Sequence, residues 1–399
     1  MKIGMVANNY KPYISGVTNV ISSSKEFLEK AGHEVTVFTF GDESYQDGEP
    51  NIIRSPGLPI VDTGFYFNLN FNRAARRLLY TMDIVHAHHP FLSGPLVLHY
   101  CKPRNIPILF TNHTRYDMYF QAYLPFLPDT FGEAAMRAYL PVFYRSCDLV
   151  VAPSQGICAV LKNLGVDAPI EVIPNGVDLV PYQNQKNPQD RLQFGIPADQ
   201  VLLMYVGRLS PEKNITFLLR AFGGTAEAFD NIHLMLVGDG PERKDLEELV
   251  QQMGLISRVS FTGAVPYSEI PGYLAIADAF MTASVTEVHP LSIIEAMASG
   301  LPVLGIISPG VGDTIEDGVT GFLTTHDLAA YTAKMVRLVS EHENRRKMGE
   351  QAQLASQIYD IRRTTRTMIS VYERLIRSSL GPKRSFRTRL TRVLDNWRG

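Results

Sequence analysis

The chain has 399 residues, 45% of them hydrophobic and 20% charged, with a formal net charge of −2. That length outgrows a single core, so two domains are expected, and the absence of a broad basic balance makes nucleic acid a poor partner. Cys101, Cys147 and Cys158 are odd in number and show no paired spacing, which argues for a reducing compartment and against a disulfide framework or structural zinc. The start "MKIGMVANNY" has no charged-then-apolar leader, and no run of about 18 apolar residues occurs, so nothing is expected to cross a membrane and the expected location is the cytoplasm.

Strand-like runs follow one another along the chain: "KIGMVA", "EVTVFTF", "DIVHAH", "IPILFTNH", "DLVVAPS" and "IEVIPNG". A second series reads "VLLMYVG", "IHLMLVG", "RVSFTG", "DAFMTAS" and "LPVLGI". They are rich in Val, Ile and Leu without clean alternation, as strands buried on both faces of a parallel sheet are. Amphipathic segments lie between them. "GVTNVISSSKEFLEKAG" stops on Gly32, a helix C-cap signal, and "GPERKDLEELVQQMG" sets Pro241 at an expected first helical position. Alternating strands and helices predict an α/β fold with two doubly wound parallel sheets.

The expected division is a first domain over 1–178, a linker over 179–200 and a second domain over 201–358. The linker "LVPYQNQKNPQDRLQFGIPADQ" is polar with three prolines. A long helix over 359–382 and a basic tail over 383–399 complete the chain. Two such sheets facing each other would leave a cleft at the carboxyl ends of their strands, the usual ligand position of this fold class.

Several motifs fall at those strand ends. In "VGRLSPEKN", Arg208 and Lys213 flank a Pro-Glu helix start after a buried strand. A forked donor, a point charge and free backbone N–H groups suit a diphosphate, although two solvated cations beside a turn would look the same. Gly16 opens the helix after the first strand, where a residue without Cβ lets a ligand approach the backbone. "VGDGPER" lacks the third glycine of a dinucleotide fingerprint and reads as a strand-to-helix turn. In "TEVHPLSIIEAMASG", Glu287 precedes a helix that Pro290 would begin, and Glu295 lies one to two turns inside it. A carboxylate in so apolar a helix is costly to bury unless something hydrogen-bonds it, and vicinal sugar hydroxyls could do so. A salt-bridged or exposed helix residue is the alternative. In "DIVHAHHPF", His86, His88 and His89 cluster without an acidic or cysteine ligand at metal spacing, so a strand end lining the cleft is preferred to a metal site.

Taken together, these segments resemble glycosyltransferase family 4, retaining enzymes with the GT-B fold. Glu287 and Glu295 match its Glu-x7-Glu pattern, "GRLSPEKN" its diphosphate motif, and "SPGVGDTIEDGVTGFL" its loop beside the donor sugar. "APSQGI" and "IPNGVD" match landmarks at the end of its first domain. The resemblance implies that Glu295 binds the ribose hydroxyls and Glu287 contacts the donor sugar. It implies that Arg208 and Lys213 neutralise the diphosphate, and that His113 reaches the sugar's primary hydroxyl. Backbone at Gly16 would approach the diphosphate, backbone at Val311 and Gly312 the sugar, and backbone near Val265 the base. Many members carry Gly-Phe-Gly after the first glutamate; here Val288-His289-Pro290 stands instead, which bears on the donor sugar. No Asp-x-Asp motif appears and no carboxylate nucleophile stands out. The resemblance implies metal-free front-face substitution with retention, the fixed cations stabilising the departing diphosphate.

For the acceptor, "HTRYDMYFQAYLPFLP" carries Tyr116, Tyr119, Phe120 and Tyr123 at helical spacing. Such a stripe usually packs into a core. Its pattern is also similar to the glycolipid-forming branch of the family, including diacylglycerol glucosyltransferases, which implies a membrane lipid acceptor and UDP-glucose as donor. Arg73, Arg76 and Arg77 beside Phe71, Leu78 and Leu79, and six cations among apolar residues in the tail, suit the anionic inner face of a cell membrane. A solvated tail is the alternative. A soluble acceptor, or from another class a nucleotide-sugar epimerase, remains open at this point.

Overall fold

The computed structural model describes residues 1–13, 15–59, 66–68, 70–116, 118, 129–185 and 188–379. The chain divides into two compact units, one of Met1–Gly176 with the helix Ile361–Ser379, the other of Val177–Asp360.

The first unit holds a seven-stranded sheet in the order β3-β2-β1-β6-β7-β8-β9, every neighbouring pair parallel. Its strands are β1 (Lys2–Val6), β2 (Glu34–Phe40), β3 (Ile52–Ser55), β6 (Ile84–Ala87), β7 (Ile108–Thr111), β8 (Leu149–Ala152) and β9 (Ile170–Val172). A small antiparallel hairpin, β4 (Leu58–Pro59) with β5 (Tyr66–Phe67), stands apart. The strand order reverses direction between β1 and β6, and ligands of open α/β sheets bind at such switch points. Helix Gly16–Lys30 follows β1 and starts with a capping box: Thr18 N–H donates to Ser15 Oγ (3.2 Å), and Ser15 N–H to Thr18 Oγ1 (2.7 Å). Gly32, at φ +85°, closes the other end in the left-handed region where glycine carries no Cβ penalty. The final helix Ile361–Ser379 belongs to this unit; Val371 and Tyr372 are buried with Ile3, Met5 and Ile21 in its core.

The second unit holds six parallel strands in the order β12-β11-β10-β13-β14-β15. These are β10 (Val201–Val206), β11 (Ile232–Val237), β12 (Val259–Gly263), β13 (Ala279–Met281), β14 (Val303–Ile306) and β15 (Gly321–Thr324). Strand β10 explains the unbroken apolar runs. Val201, Leu203 and Tyr205 enter the core on one face, Leu202, Met204 and Val206 the core on the other. The switch point here lies between β10 and β13.

Some boundaries differ from the sequence reading. Residues 179–200 lie within the second unit, with Leu179, Tyr182 and Ile196 buried in its core, so their polar composition marks a surface-running segment with apolar anchors. Helix Arg243–Gln252 starts two residues after Pro241, and Pro290 caps helix Leu291–Ala298 instead of opening it. The glycines of "VGDGPER" serve packing: a Cβ on Gly238 would lie 2.0 Å from the Gly207 carbonyl, and one on Gly240 2.2 Å from that of Leu209.

Candidate active site

The loops after β10 and β13 meet at the switch point of the second unit. The turn Pro211–Lys213 is tied down by Asn214 Nδ2 donating to the Ala283 carbonyl (3.3 Å) and Ser284 Oγ donating to the Glu212 carbonyl (3.2 Å). These bonds carry Lys213 Nζ to 2.5 Å from Glu287 Oε1, with the two side chains 26% and 18% exposed. Burial opposes the lysine charge, but the adjacent Glu287 carboxylate overrides it and raises the Lys213 pKa above its ordinary value. One of three ammonium protons is thereby used, leaving others for a phosphate. Arg208 sits exposed at the carboxyl end of β10, its carbonyl accepting from Tyr205 Oη (3.0 Å).

The third loop joins through backbone. Gly310 N–H donates to the Glu287 carbonyl (3.2 Å), and a Cβ at Gly310 would come within 2.5 Å of that oxygen. Only glycine lets the Pro309–Gly312 turn pack so closely against the Glu287 loop. Val311 in that turn is buried, whereas Gly312 borders open space.

Glu295 lies inside helix Leu291–Ala298 and is only 3% exposed. Its Oε1 accepts from Tyr267 Oη at 2.6 Å, and the Tyr182 hydroxyl bonds to the same carboxylate. Burial lifts the Glu295 pKa from 4.5 to about 7, and the two tyrosine hydroxyls pull in the opposite direction. The carboxylate expected to meet a diol is thus held by two hydroxyls of the chain itself. Val265, half-buried, lies two residues before Tyr267. Neither tyrosine was anticipated: Tyr182 falls in the expected linker, and only the proximity of Tyr267 to Val265 in sequence offered a signal.

In the first unit, Gly16 is exposed and a Cβ there would meet nothing within 4 Å, so no contact within the chain demands glycine. His113 follows β7, and its Nε2 lies 2.9 Å from His88 Nδ1. His86, His88 and His89 are buried within this unit. Burial pushes the pKa of His86 down to about 3 and that of His89 to about 4, and holds His88 and His113 well below the ordinary histidine value, which favours the neutral ring in each case. Among the described residues no group of three or more His, Cys, Asp or Glu is placed to hold a metal ion.

Tyr116 is buried and packs edge-on against Phe91 (5.6 Å between centroids), as the core alternative has it. Tyr119, Phe120 and Tyr123 lie outside the described residues, as does the tail 383–399. In helix Arg73–Leu79, Arg73 and Arg77 are exposed and Arg76 is half-buried. Two of the apolar residues assigned to a membrane face are core residues instead: Phe71 stacks on Phe40 at 5.5 Å, and Leu79 is fully buried. Among the described residues no helix is long and apolar enough to cross a membrane.

Comparison with known proteins gives the chain a family. The family model described as Glycosyltransferase Family 4 matches residues 14–180, and that described as Glycosyl transferases group 1 matches residues 186–355. The alpha-monoglucosyldiacylglycerol synthase of Streptococcus pneumoniae is 32% identical over 343 residues, covering 82% of this chain and 77% of that protein. The chain is a family 4 glycosyltransferase.

A second alpha-monoglucosyldiacylglycerol synthase, from Acholeplasma laidlawii, is 30% identical to this glycosyltransferase over 80% of its chain and 84% of the relative. Its fold is GT-B. The structure of Anabaena Alr3699/HepE in complex with UDP and glucose matches it with a TM-score of 0.76 and 21% identity, covering 94% of this chain and all (100%) of that one. The sucrose-phosphate synthase of Thermosynechococcus elongatus matches with a TM-score of 0.77, also at 21% identity, over 94% and 99% of the two chains. The enzyme transfers a sugar from a nucleotide-sugar donor; in it the Lys213–Glu287 pair joins the loops after β10 and β13, and Glu295 lies inside the helix that follows.

Proposed function

We propose that this glycosyltransferase moves glucose from UDP-glucose to diacylglycerol at a membrane surface, without a metal ion and with retention of the anomeric configuration. The carrying observation is the Lys213–Glu287 contact of 2.5 Å, which joins a diphosphate-type cation to a sugar-type carboxylate across 74 residues of sequence. The two synthases at 30% identity or above support the acceptor and the sugar, and an α-product from an α-linked donor requires net retention.

In this reading the second unit supplies most of the donor contacts, and the first binds the acceptor and adds donor contacts from His113 and Gly16. Glu295 accepts from the two ribose hydroxyls, the backbone near Val265 meets the base, and Arg208 and Lys213 hold the diphosphate. Glu287 and the backbone at Val311 and Gly312 hold the sugar, while His113 meets its primary hydroxyl and the backbone at Gly16 approaches the diphosphate. The bond from the anomeric carbon to the β-phosphate oxygen breaks as the acceptor oxygen bonds to the same face. The departing phosphate oxygen takes the acceptor proton. Two fixed cations stabilise the negative charge that develops on that oxygen. Arg73, Arg76, Arg77 and the tail 383–399 draw the enzyme to anionic lipid.

The test is nucleotide release from UDP-, GDP- and ADP-sugars, with and without anionic vesicles containing diacylglycerol, each with and without chelator. Release from UDP-glucose alone, stimulated by diacylglycerol, is expected. Release that ignores the lipid, or that the chelator stops, would overturn the corresponding part of the reading.

A further inference from the structure

His88 makes a contact that the proposed chemistry does not use. It follows β6 at the switch point of the first unit and is 1% exposed. Its ring stacks on His86 (4.1 Å between centroids, 29° between planes) and lies edge to edge with His113 (5.1 Å, 20°). His86 is itself anchored at both nitrogens, Nδ1 to Tyr372 Oη and Nε2 to Thr111 Oγ1, each at 2.7 Å. The anchored His86 ring fixes the plane of the His88 ring, whose Nδ1 lies 2.9 Å from His113 Nε2. Its other nitrogen, Nε2, is buried with no hydrogen-bond partner among the described residues.

We propose that His88 sets the tautomer of His113, so that His113 offers a lone pair at Nδ1 to the hydroxyl it meets. The functional part of this statement rests on the reading of His113 as a sugar-contacting residue. Between two neutral imidazole nitrogens at 2.9 Å only one proton is shared. If His113 Nε2–H donates, His88 is protonated at Nε2, and both rings carry their proton on Nε2. If His88 Nδ1–H donates, both rings carry it on Nδ1. Neutral histidine intrinsically favours the Nε2–H form, so the first arrangement is favoured at both rings together.

The surroundings fit that choice. His88 and His113 line a cavity of about 40 Å³ with Ser24, Thr111, Asn175 and Thr364. The remaining lining includes Val20, Leu28, Val151 and Ile173, and a cavity of that size with several polar groups has room for a water that accepts from His88 Nε2–H, a group costly to leave unpaired. The carboxyl ends of β6 and β7 thus present His113 in one protonation pattern, as a hydrogen-bond acceptor to a hydroxyl. His88 acts through His113 and is a positioning residue.

The test is long-range ¹H–¹⁵N NMR on the full-length enzyme labelled with ¹⁵N-histidine, with signals assigned by His88→Asn and His113→Gln. Both rings of the wild type are expected in the Nε2–H form. An Nδ1–H form at either ring overturns the proposal, and that result needs no variant to fold. In His88→Leu the two His113 nitrogen shifts should move toward a common average, and a His113 spectrum unchanged by that substitution overturns it too. The activity of His113→Gln tests the underlying reading separately: full transfer would remove His113 from the sugar site without touching the tautomer result.

Discussion

Replacing Glu295 with glutamine should make the enzyme more stable at high pH and poorer at binding its donor. The carboxylate is 3% exposed, and burial raises its pKa from 4.5 to about 7. A carboxyl group with a raised native pKa holds its proton in the folded state when the unfolded chain has lost it, so stability is full below 4.5 and declines up to about 7. Over that window the wild type loses roughly 3 kcal/mol, at about 1.4 kcal/mol per pH unit. Glutamine can still accept from Tyr267 and carries no charge to bury. The stability difference between Glu295→Gln and wild type should therefore widen by roughly 2–3 kcal/mol between about pH 5 and about pH 8. Urea unfolding at both pH values reads this directly. Calorimetric titration with a nucleotide sugar, whose diphosphate diester does not titrate here, reads the functional side. Wild-type affinity should weaken about tenfold from about pH 8 to about pH 6, as the ribose-binding carboxylate takes up a proton. The variant should bind weakly and without that slope. A stability difference independent of pH would refute the burial argument, and pH-flat wild-type binding would refute the ribose assignment.

Lys213→Ala should lower kcat by about 100-fold or more, since it removes a fixed cation from the developing phosphate charge, and steady-state kinetics with UDP-glucose would show it. Tyr267→Phe takes away one of the hydroxyls that favour the charged form of Glu295, so the pH midpoint of donor binding should rise; an unmoved midpoint would make Tyr267 a packing residue only. Gly310→Ala places a Cβ about 2.5 Å from the Glu287 carbonyl, so the loop must shift and both thermal stability and donor affinity should fall. Deleting 383–399 should weaken flotation with anionic vesicles while leaving nucleotide-sugar affinity unchanged; unchanged flotation would remove the tail from membrane binding.

Much of the fold was legible because burial on both sheet faces leaves a local signature. The run "VLLMYV" divides its residues between two cores, and such a run can be recognised without its neighbours. Gly207 at the end of β10 located the loop of Arg208 and Lys213, and Pro290 marked the helix start beside Glu287. What stayed hidden depends on pairing between distant segments. Nothing in "LVPYQ" signals that Tyr182 reaches Glu295, because that contact is made by tertiary packing. The same holds for His88 and His113, which lie 25 residues apart and meet only because β6 and β7 are neighbours. Phe71 was misplaced for a related reason: beside three arginines it looks like a membrane anchor, yet its ring stacks on Phe40 of β2. Pro241 and Pro290 precede their helices by two positions and one, since proline tolerates the cap and the preceding turn as well as the first helical position.

The most direct measurement is the identity and anomeric configuration of the lipid product. Enzyme, UDP-glucose and anionic vesicles containing diacylglycerol would be incubated with chelator, and the extracted lipid analysed by mass spectrometry and proton NMR. An α-glucosyl diacylglycerol, formed by the wild type and absent with Lys213→Ala, is the predicted result. A β-anomer, or hydrolysis of the donor with no glycolipid at all, would contradict the account.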